Sequence, residues 1–172
     1  MPQLTMPPLP SEEDLTQLAQ RLGAVLEHHG ACLTTAESCT GGWVAQCVTA
    51  VAGSSGWFEC GYVTYSNRSK QHTLKVRPQT LAQYGAVSEA TVAAMAAGAL
   101  VQSGADCAVA VSGIAGPGGG SAEKPVGTVC FAWQRRGGRC VVRTEHLDGG
   151  RRAIRCRSVA IALTGLLELY GD

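Results

Sequence analysis

The segment Thr34–Gly42 combines residue types that perform nucleophilic chemistry. It contains a carboxylate, two hydroxyls, a thiol and two glycines in succession: Glu37, Ser38, Cys39, Thr40, Gly41 and Gly42. The β-branched run that begins it predicts a strand, and the amphipathic run after it predicts a helix. A strand-to-helix turn exposes side-chain nucleophiles, and the N–H groups of a helix start favour negative charge. This turn is therefore the first candidate for a catalytic site.

Each side chain of the turn also has a simpler explanation. Ser38 or Thr40 could cap the following helix, which is the more common role for a hydroxyl at such a place. Cys39 could be a thiol activated by a helix start. No histidine forms a motif with Cys39, so an inert buried thiol is the better interpretation. The turn alone leaves both the nucleophile and the cap open.

Two more segments that follow predicted strands could supply chemistry. Tyr65–Lys70 places a phenol and an amine five residues apart, and a poorly solvated lysine can act as the base of a serine. Ser112–Gly120 is rich in glycine and could hold a phosphate through its N–H groups. It matches neither the P-loop nor the dinucleotide-binding pattern. An exposed lysine and a flexible surface loop are the ordinary alternatives.

The order of the predicted elements indicates an α/β protein. Strands alternate with helices as far as the buried run Cys107–Val111, and two further strands then flank a turn at Arg135–Gly138. This pattern predicts a three-layer α/β/α sandwich with a mixed five-stranded sheet. Ligands bind at the carboxyl ends of parallel strands in such sheets, and the three polar or glycine-rich segments would meet there.

Length and composition exclude several classes of protein. The chain has 172 residues and a formal net charge of +1, which predict a single domain at residues 11–172 after an irregular tail at residues 1–10. It has no basic surface pattern for nucleic acid, no apolar run that could span a membrane and no signal peptide. The eight cysteines form no CxxC pair, and the histidines lack metal-ligand spacing. We expect a reduced, cytoplasmic protein without a metal site.

Several long motifs resemble the C-terminal domain of the CinA family. They are Thr34–Gly42, Val51–Ser55, Val63–Asn67 with Lys70, Gly85–Ser88, Val111–Pro117 and Lys124–Val129. The resemblance covers nearly the whole chain. It implies a five-stranded α/β/α fold with one antiparallel strand, no metal or organic cofactor, and usually a homodimer or larger homo-oligomer.

The resemblance also implies a nicotinamide-nucleotide amidase. Such an enzyme hydrolyses the carboxamide of a small-molecule pyridine nucleotide, nicotinamide mononucleotide, to give nicotinic acid mononucleotide and ammonia. The family's serine, tyrosine and lysine fall on Ser38, Tyr65 and Lys70. A pyridine-nucleotide-binding regulatory module that has lost the chemistry is the alternative hypothesis.

Substrate contacts are expected from the first turn and from the glycine-rich loop. The N–H groups of the turn would hold an oxyanion, and the loop, with a nearby arginine, would meet the phosphate and ribose. The expected binding residues are Glu37, Cys39, Thr40, Gly41, Gly42, Ser112, Gly113, Ile114, Ala115 and Gly116. One feature departs from the family pattern. Gly149-Gly150-Arg151 stands where relatives often carry Gly-Asp-Arg.

Overall fold

The computed structural model describes residues 8–171. The predicted tail, residues 1–10, therefore lies mostly outside the described residues. Its described part, residues 8–10, is irregular. The Cys156 thiol donates a hydrogen bond of 3.3 Å to the Pro10 carbonyl and so ties this short segment to the domain.

The described residues form six α-helices and five β-strands, joined by loops and one short 3₁₀ helix at Ser54–Gly56. The helices are α1 (Glu12–His29), α2 (Trp43–Thr49), α3 (Asn67–Leu74), α4 (Pro78–Tyr84), α5 (Glu89–Ser103) and α6 (Arg151–Leu169). The strands are β1 (Leu33–Glu37), β2 (Phe58–Val63), β3 (Cys107–Gly113), β4 (Thr128–Arg135) and β5 (Cys140–His146). None of these helices is long and apolar enough to cross a membrane.

The five strands form one mixed sheet in the order β2-β1-β3-β4-β5. Strand β1 pairs in parallel with β2 and with β3. Strand β4 is antiparallel to both of its neighbours, β3 and β5, so it alone runs against the other four. The predicted mixed sheet with a single antiparallel strand is confirmed. The carboxyl ends of β2, β1 and β3 consequently lie side by side at one edge.

Strand β3 shows how the sequence separates the two faces of the sheet. Val109 and Val111 point to the core beneath α1, α2 and α6, whereas Ala108 and Ala110 point to the core beneath α5. Small side chains on the second face let the alanine-rich helix α5 approach the sheet closely. The same closeness places α5 against α3, where a Cβ atom added at Gly98 would overlap the carbonyl of Leu74. Helix α3, which carries Lys70, is therefore held in place by its contact with α5.

Helix α6 is anchored to the sheet by an aromatic contact. The indole N–H of Trp133, on β4, donates a hydrogen bond of 2.9 Å to the carbonyl of Ala162. The same indole fills the space beside Gly165, where a Cβ atom would overlap the ring. Arg151 begins this helix at its other end, which faces the carboxyl edge of the sheet.

We expect Gly165→Ala to lower the free energy of unfolding by about 1–3 kcal/mol, because the added methyl group overpacks the core against Trp133. Alanine normally favours a helix over glycine by about 0.5–1 kcal/mol, so the sign of the change is diagnostic. Urea titration monitored by circular dichroism measures it. Gly56→Ala is the matched control, since nothing lies within 4 Å of its Cβ position. A more stable Gly165→Ala protein would contradict the packing of α6.

Candidate active site

A cavity of about 210 Å³ opens at the carboxyl edge of the sheet. The three segments predicted to converge do meet there. Its lining comprises Ser38, Cys39, Tyr65, Lys70, Ala86, Val87, Ser112, Gly113, Ala115 and Arg151. Other cavities in the described residues are larger, at about 260, 270, 310 and 400 Å³. None of these four brings together a hydrogen-bonded nucleophile and base, so the smaller cavity is the candidate for catalysis.

The side chains of Ser38 and Lys70 are in direct contact in this cavity. The Nζ atom of Lys70 lies 3.0 Å from the Oγ atom of Ser38. It also donates hydrogen bonds to the carbonyls of Thr64, at 2.8 Å, and Tyr65, at 3.3 Å. Two of its three partners are thus carbonyls, which can only accept. A neutral amine therefore keeps its two N–H bonds for the carbonyls and turns its lone pair to the serine hydroxyl.

Burial favours that neutral form of the lysine. Only 1% of Lys70 is exposed to solvent, and desolvation lowers the pKa of its amine. A lysine with a lowered pKa next to a serine hydroxyl is an arrangement that activates the serine as a nucleophile. The ordinary alternative for Lys70, an exposed side chain on a short helix, is wrong.

The start of helix α3 sets the position of Lys70. Ser66 caps the helix by accepting a hydrogen bond of 3.0 Å from the Ser69 N–H, and the Ser69 side chain binds back to the Ser66 backbone. This reciprocal cap fixes the first helical turn. Lys70 and Leu74 then lie four residues apart on the buried face of α3.

The carboxylate of Glu37 occupies the start of helix α2. It accepts hydrogen bonds from the N–H groups of Gly42, Val44 and Ala45 at 3.0, 3.0 and 2.8 Å. Gly42 is the N-cap residue, and no side chain at that position forms a cap. The hypothesis that Ser38 or Thr40 caps α2 is therefore wrong, because a buried carboxylate from the end of β1 already satisfies these donors.

Two of the four N–H groups predicted to hold the oxyanion already donate hydrogen bonds within the protein. The Gly42 N–H binds Glu37, and the Gly41 N–H donates to the Ser38 carbonyl at 3.0 Å. Between residues 8 and 171, the N–H groups of Cys39 and Thr40 donate to no other residue. Only these two of the four predicted donors remain for a ligand.

The neighbouring thiol of Cys39 is in the wrong protonation state for a nucleophile. It is 6% exposed, and burial raises the pKa of the Cys39 thiol to about 11. The thiol therefore stays protonated near neutral pH, whereas the thiolate is the reactive form. This favours Ser38 over Cys39 as the nucleophile.

Two arginines of helix α6 reach the site from one side. Arg155 donates from Nε to the Cys39 carbonyl and from Nη2 to the Thr40 carbonyl, both at 3.0 Å. Arg151 donates to the Gly116 carbonyl at 2.8 Å and to the Tyr65 hydroxyl at 3.1 Å. The Tyr65 side chain is 61% exposed, so Tyr65 and Arg151 form the mouth of the cavity.

The predicted binding residues divide into two groups. Cys39, Ser112, Gly113 and Ala115 line the cavity. The others lie around it without contributing to its wall: Glu37, Thr40, Gly41, Gly42, Ile114 and Gly116.

The lining residues of β3 and the following loop have clear structural reasons. The Ser112 hydroxyl donates a hydrogen bond of 2.8 Å to the Ala86 carbonyl and so brings the Gly85–Ser88 turn to the site. A Cβ atom at Gly113 would lie 2.7 Å from a methyl group of Val129, which explains why glycine stands there.

Sequence reasoning missed Ala86, Val87 and the role of Arg155. Ala86 and Val87 belong to the family motif Gly85–Ser88, but their apolar side chains carry no reactive group that indicates a place in the cavity wall. Arg155 had a usable signal, because Arg151 and Arg155 are four residues apart and must share one face of a helix. Among the described residues, no group of three or more His, Cys, Asp or Glu side chains is arranged to hold a metal ion.

Comparisons with known proteins agree with this architecture. The family model described as the CinA C-terminal domain matches residues 15–170. Nicotinamide-nucleotide amidohydrolase PncC of Escherichia coli K12 is 52% identical over 160 residues, which cover 93% of this chain and 97% of that protein. The PncC protein of Pseudomonas putida is 53% identical over 157 residues, covering 91% and 98%.

Solved structures give the same result for the fold. The competence/damage inducible protein CihA from Agrobacterium tumefaciens matches with a TM-score of 0.88 and 45% identity, over 95% of this chain and 99% of that one. A CinA superfamily protein from Klebsiella pneumoniae matches with a TM-score of 0.87 and 41% identity, over 91% and 97%. With a family model that spans nearly all of the described residues, the chain belongs to the CinA C-terminal domain family.

Proposed function

We propose that this protein is a serine amidohydrolase that converts nicotinamide mononucleotide into nicotinic acid mononucleotide and ammonia. The observation that carries the proposal is the 3.0 Å contact between the Ser38 hydroxyl and the buried Lys70 amine. The substrate is inferred from relatives named nicotinamide-nucleotide amidohydrolase, which are matched over almost their full length at 52–53% identity.

In the first half of the reaction, Ser38 forms an ester with the pyridine carboxyl group. The neutral Lys70 amine accepts the proton of the Ser38 hydroxyl as Oγ attacks the carboxamide carbon, and the carbonyl oxygen becomes an oxyanion. The N–H groups of Cys39 and Thr40 are the donors left to hold this oxyanion. When the intermediate collapses, the C–N bond breaks. Lys70 returns the proton to the nitrogen, and ammonia leaves.

The second half releases the acid by the same route. Water attacks the ester carbon while Lys70 accepts a proton from it, and a second tetrahedral oxyanion forms. Its collapse breaks the bond to Oγ, and Lys70 returns the proton to Ser38. The direct contact between Ser38 and Lys70 favours this direct transfer over a relay through the Tyr65 hydroxyl, which is bound by Arg151 instead. We assign Tyr65 to positioning the bound nucleotide at the cavity mouth, beside Arg151.

The phosphate is proposed to bind at the mouth, close to Arg151. This residue begins α6, a helix of 19 residues whose N-cap, Gly150, provides no side-chain hydrogen bond. A helix start with an uncapped set of N–H groups and a guanidinium favours an anion. Gly150 stands where relatives often have aspartate, and nothing lies within 4 Å of its Cβ position. The missing carboxylate thus leaves this corner open and positively charged.

We expect Ser38→Ala to abolish turnover of nicotinamide mononucleotide while binding is retained, because only the attacking oxygen is lost. Cys39→Ala is the matched control and should keep most activity, since its thiol is buried and protonated. Ammonia release measures turnover, and calorimetry measures binding. An active Ser38→Ala beside an inactive Cys39→Ala would transfer the nucleophile to the thiol. Binding by the native protein without any turnover would favour the regulatory module.

The lowered pKa of Lys70 predicts how activity depends on pH. Only the neutral amine accepts a proton, so kcat/KM should rise as pH increases through that pKa and level off above it. Lys70→Met should lose about 10²- to 10⁴-fold in kcat on the plateau above that pKa, the usual contribution of a general base, and its residual activity should no longer rise with pH through that range. Lys75→Met, which removes an exposed lysine of the same region, serves as the control. A pH profile that Lys70→Met leaves unchanged would exclude Lys70 as the base.

The proposed phosphate contact predicts a substrate preference. Free nicotinamide should have a far lower kcat/KM than its mononucleotide, because remote binding energy from the phosphate is lost. Arg151→Gln should raise KM for the mononucleotide about 10- to 100-fold, the range for a hydrogen bond to a charged group. The change should be much smaller with nicotinamide riboside, which lacks the phosphate. Equal effects on both substrates would place the phosphate elsewhere.

A further inference from the structure

The nucleophile turn is held from outside by one side chain. The guanidinium of Arg155 donates to two successive carbonyls, those of Cys39 and Thr40, at 3.0 Å each. Arg155 is half-buried and lies against the indole of Trp43, with its central carbon 5.4 Å from the ring centroid. A planar guanidinium binds two acceptors through a rigid fork of N–H groups, whereas the donors of a lysine amine sit on a single freely rotating nitrogen.

Binding these two carbonyls also orients the N–H groups of the same peptide units. In a trans peptide the N–H points opposite to the C=O. The peptide between Cys39 and Thr40 directs its carbonyl to Arg155, so the Thr40 N–H points away from Arg155. The next peptide directs its carbonyl to Arg155 as well, and the Gly41 N–H reaches the Ser38 carbonyl at 3.0 Å.

The Thr40 N–H is a donor that lacks a partner in the described part of the chain. Thr40 is 0% exposed, so water does not freely solvate this group. Buried N–H groups are nearly always paired, and an unpaired one at the side of a nucleophile has the properties of a ligand donor. Cys39, its neighbour, lines the cavity together with Ser38.

We propose that Arg155 is a positioning residue that aims the N–H group of Thr40 at the oxyanion of the reaction. This inference rests on the proposed amidase function and extends it to a residue outside the cavity. Glu37 accepts hydrogen bonds from the N–H groups that follow the turn, whereas Arg155 donates to carbonyls within it. The two side chains therefore bind the donors and the acceptors of one backbone segment. The positive charge on the carbonyls also polarises these peptide units and strengthens their N–H groups as donors.

The test compares Arg155→Ala with Arg152→Ala. Both arginines lie against the Trp43 ring, Arg152 at 5.8 Å, but only Arg155 binds the turn. Arg155→Ala should lower kcat about 10²- to 10³-fold, the loss seen when an oxyanion donor is removed, with KM within a few-fold of native. Arg152→Ala should keep native kcat. Equal losses in the two variants would assign the effect to packing on Trp43 and overturn the proposal.

Two further measurements separate positioning from loss of structure. Guanidinium ion at millimolar concentration should restore part of the kcat of Arg155→Ala and leave Arg152→Ala unchanged. Arg155→Lys keeps the charge and most of the aliphatic stem but loses the planar fork, so an intermediate kcat is expected even where Arg155→Ala folds poorly. Native kcat in Arg155→Lys would overturn the need for a planar clamp.

Labelling of Ser38 by a fluorophosphonate probe distinguishes this inference from the proposed substrate. The phosphonyl oxygen uses the same oxyanion donors, and intact-protein mass measures the rate without any nucleotide. If the native protein is labelled but does not hydrolyse the mononucleotide, the proposed substrate is refuted. If labelling is also about 10²-fold slower in Arg155→Ala, the proposed role of Arg155 is supported all the same. Equal labelling rates in native and Arg155→Ala proteins would refute the role of Arg155. A native Ser38 that reacts with neither compound would refute both.

Discussion

The candidate site depends on an amine that is buried without a carboxylate beside it. Lys70 is almost wholly inaccessible, and its partners are a hydroxyl and two carbonyls. A charged ammonium in such surroundings has a high desolvation cost, which a neutral amine avoids. By excluding water from the amine, the fold lowers its pKa and favours the neutral form that can accept a proton. The cap of α3, the close approach of α5 and the carbonyl of Thr64, whose own N–H binds the Glu37 carbonyl, all hold that amine against Ser38.

The second requirement is a backbone turn whose peptide units cannot rotate. Glu37 binds N–H groups after the turn, and Arg155 binds carbonyls within it. Each of these side chains binds the turn through hydrogen bonds to backbone atoms, and neither takes part in the proposed proton transfers. Rigid dipoles of this kind stabilise developing charge without reorganisation. The turn thus owes its shape to two residues that lie outside the cavity lining.

The sequence was sufficient to predict the fold and the three segments that meet at the site. It was insufficient to predict the hydrogen bonds that hold the site together. Alternating strands and helices predicted the layers, and the family motifs located Ser38, Tyr65 and Lys70. The motif could not indicate that Glu37 caps α2, because a carboxylate beside a serine equally suggests a substrate contact. Arg155 is 116 residues from Cys39 in the chain. Only the packing of α6 on Trp133 reveals that the two meet, and no local pattern encodes such a contact.

The two faces of the sheet leave different room for change during evolution. On the face beneath α5, the sheet contributes only small side chains to the buried core, those of Ala36, Ala108, Ala110, Cys130 and Ala132. Gly98 of α5 leaves no room for a methyl group beside Leu74. Larger residues there would displace α5 and, through it, α3 with its amine. The opposite face is filled by valine, phenylalanine and tryptophan side chains that can exchange volume among themselves. Sequence drift should therefore be asymmetric, with a nearly fixed small-residue layer behind the base and more exchange of side-chain size beneath α1 and α6, except where Gly165 and Gly23 meet tryptophan rings.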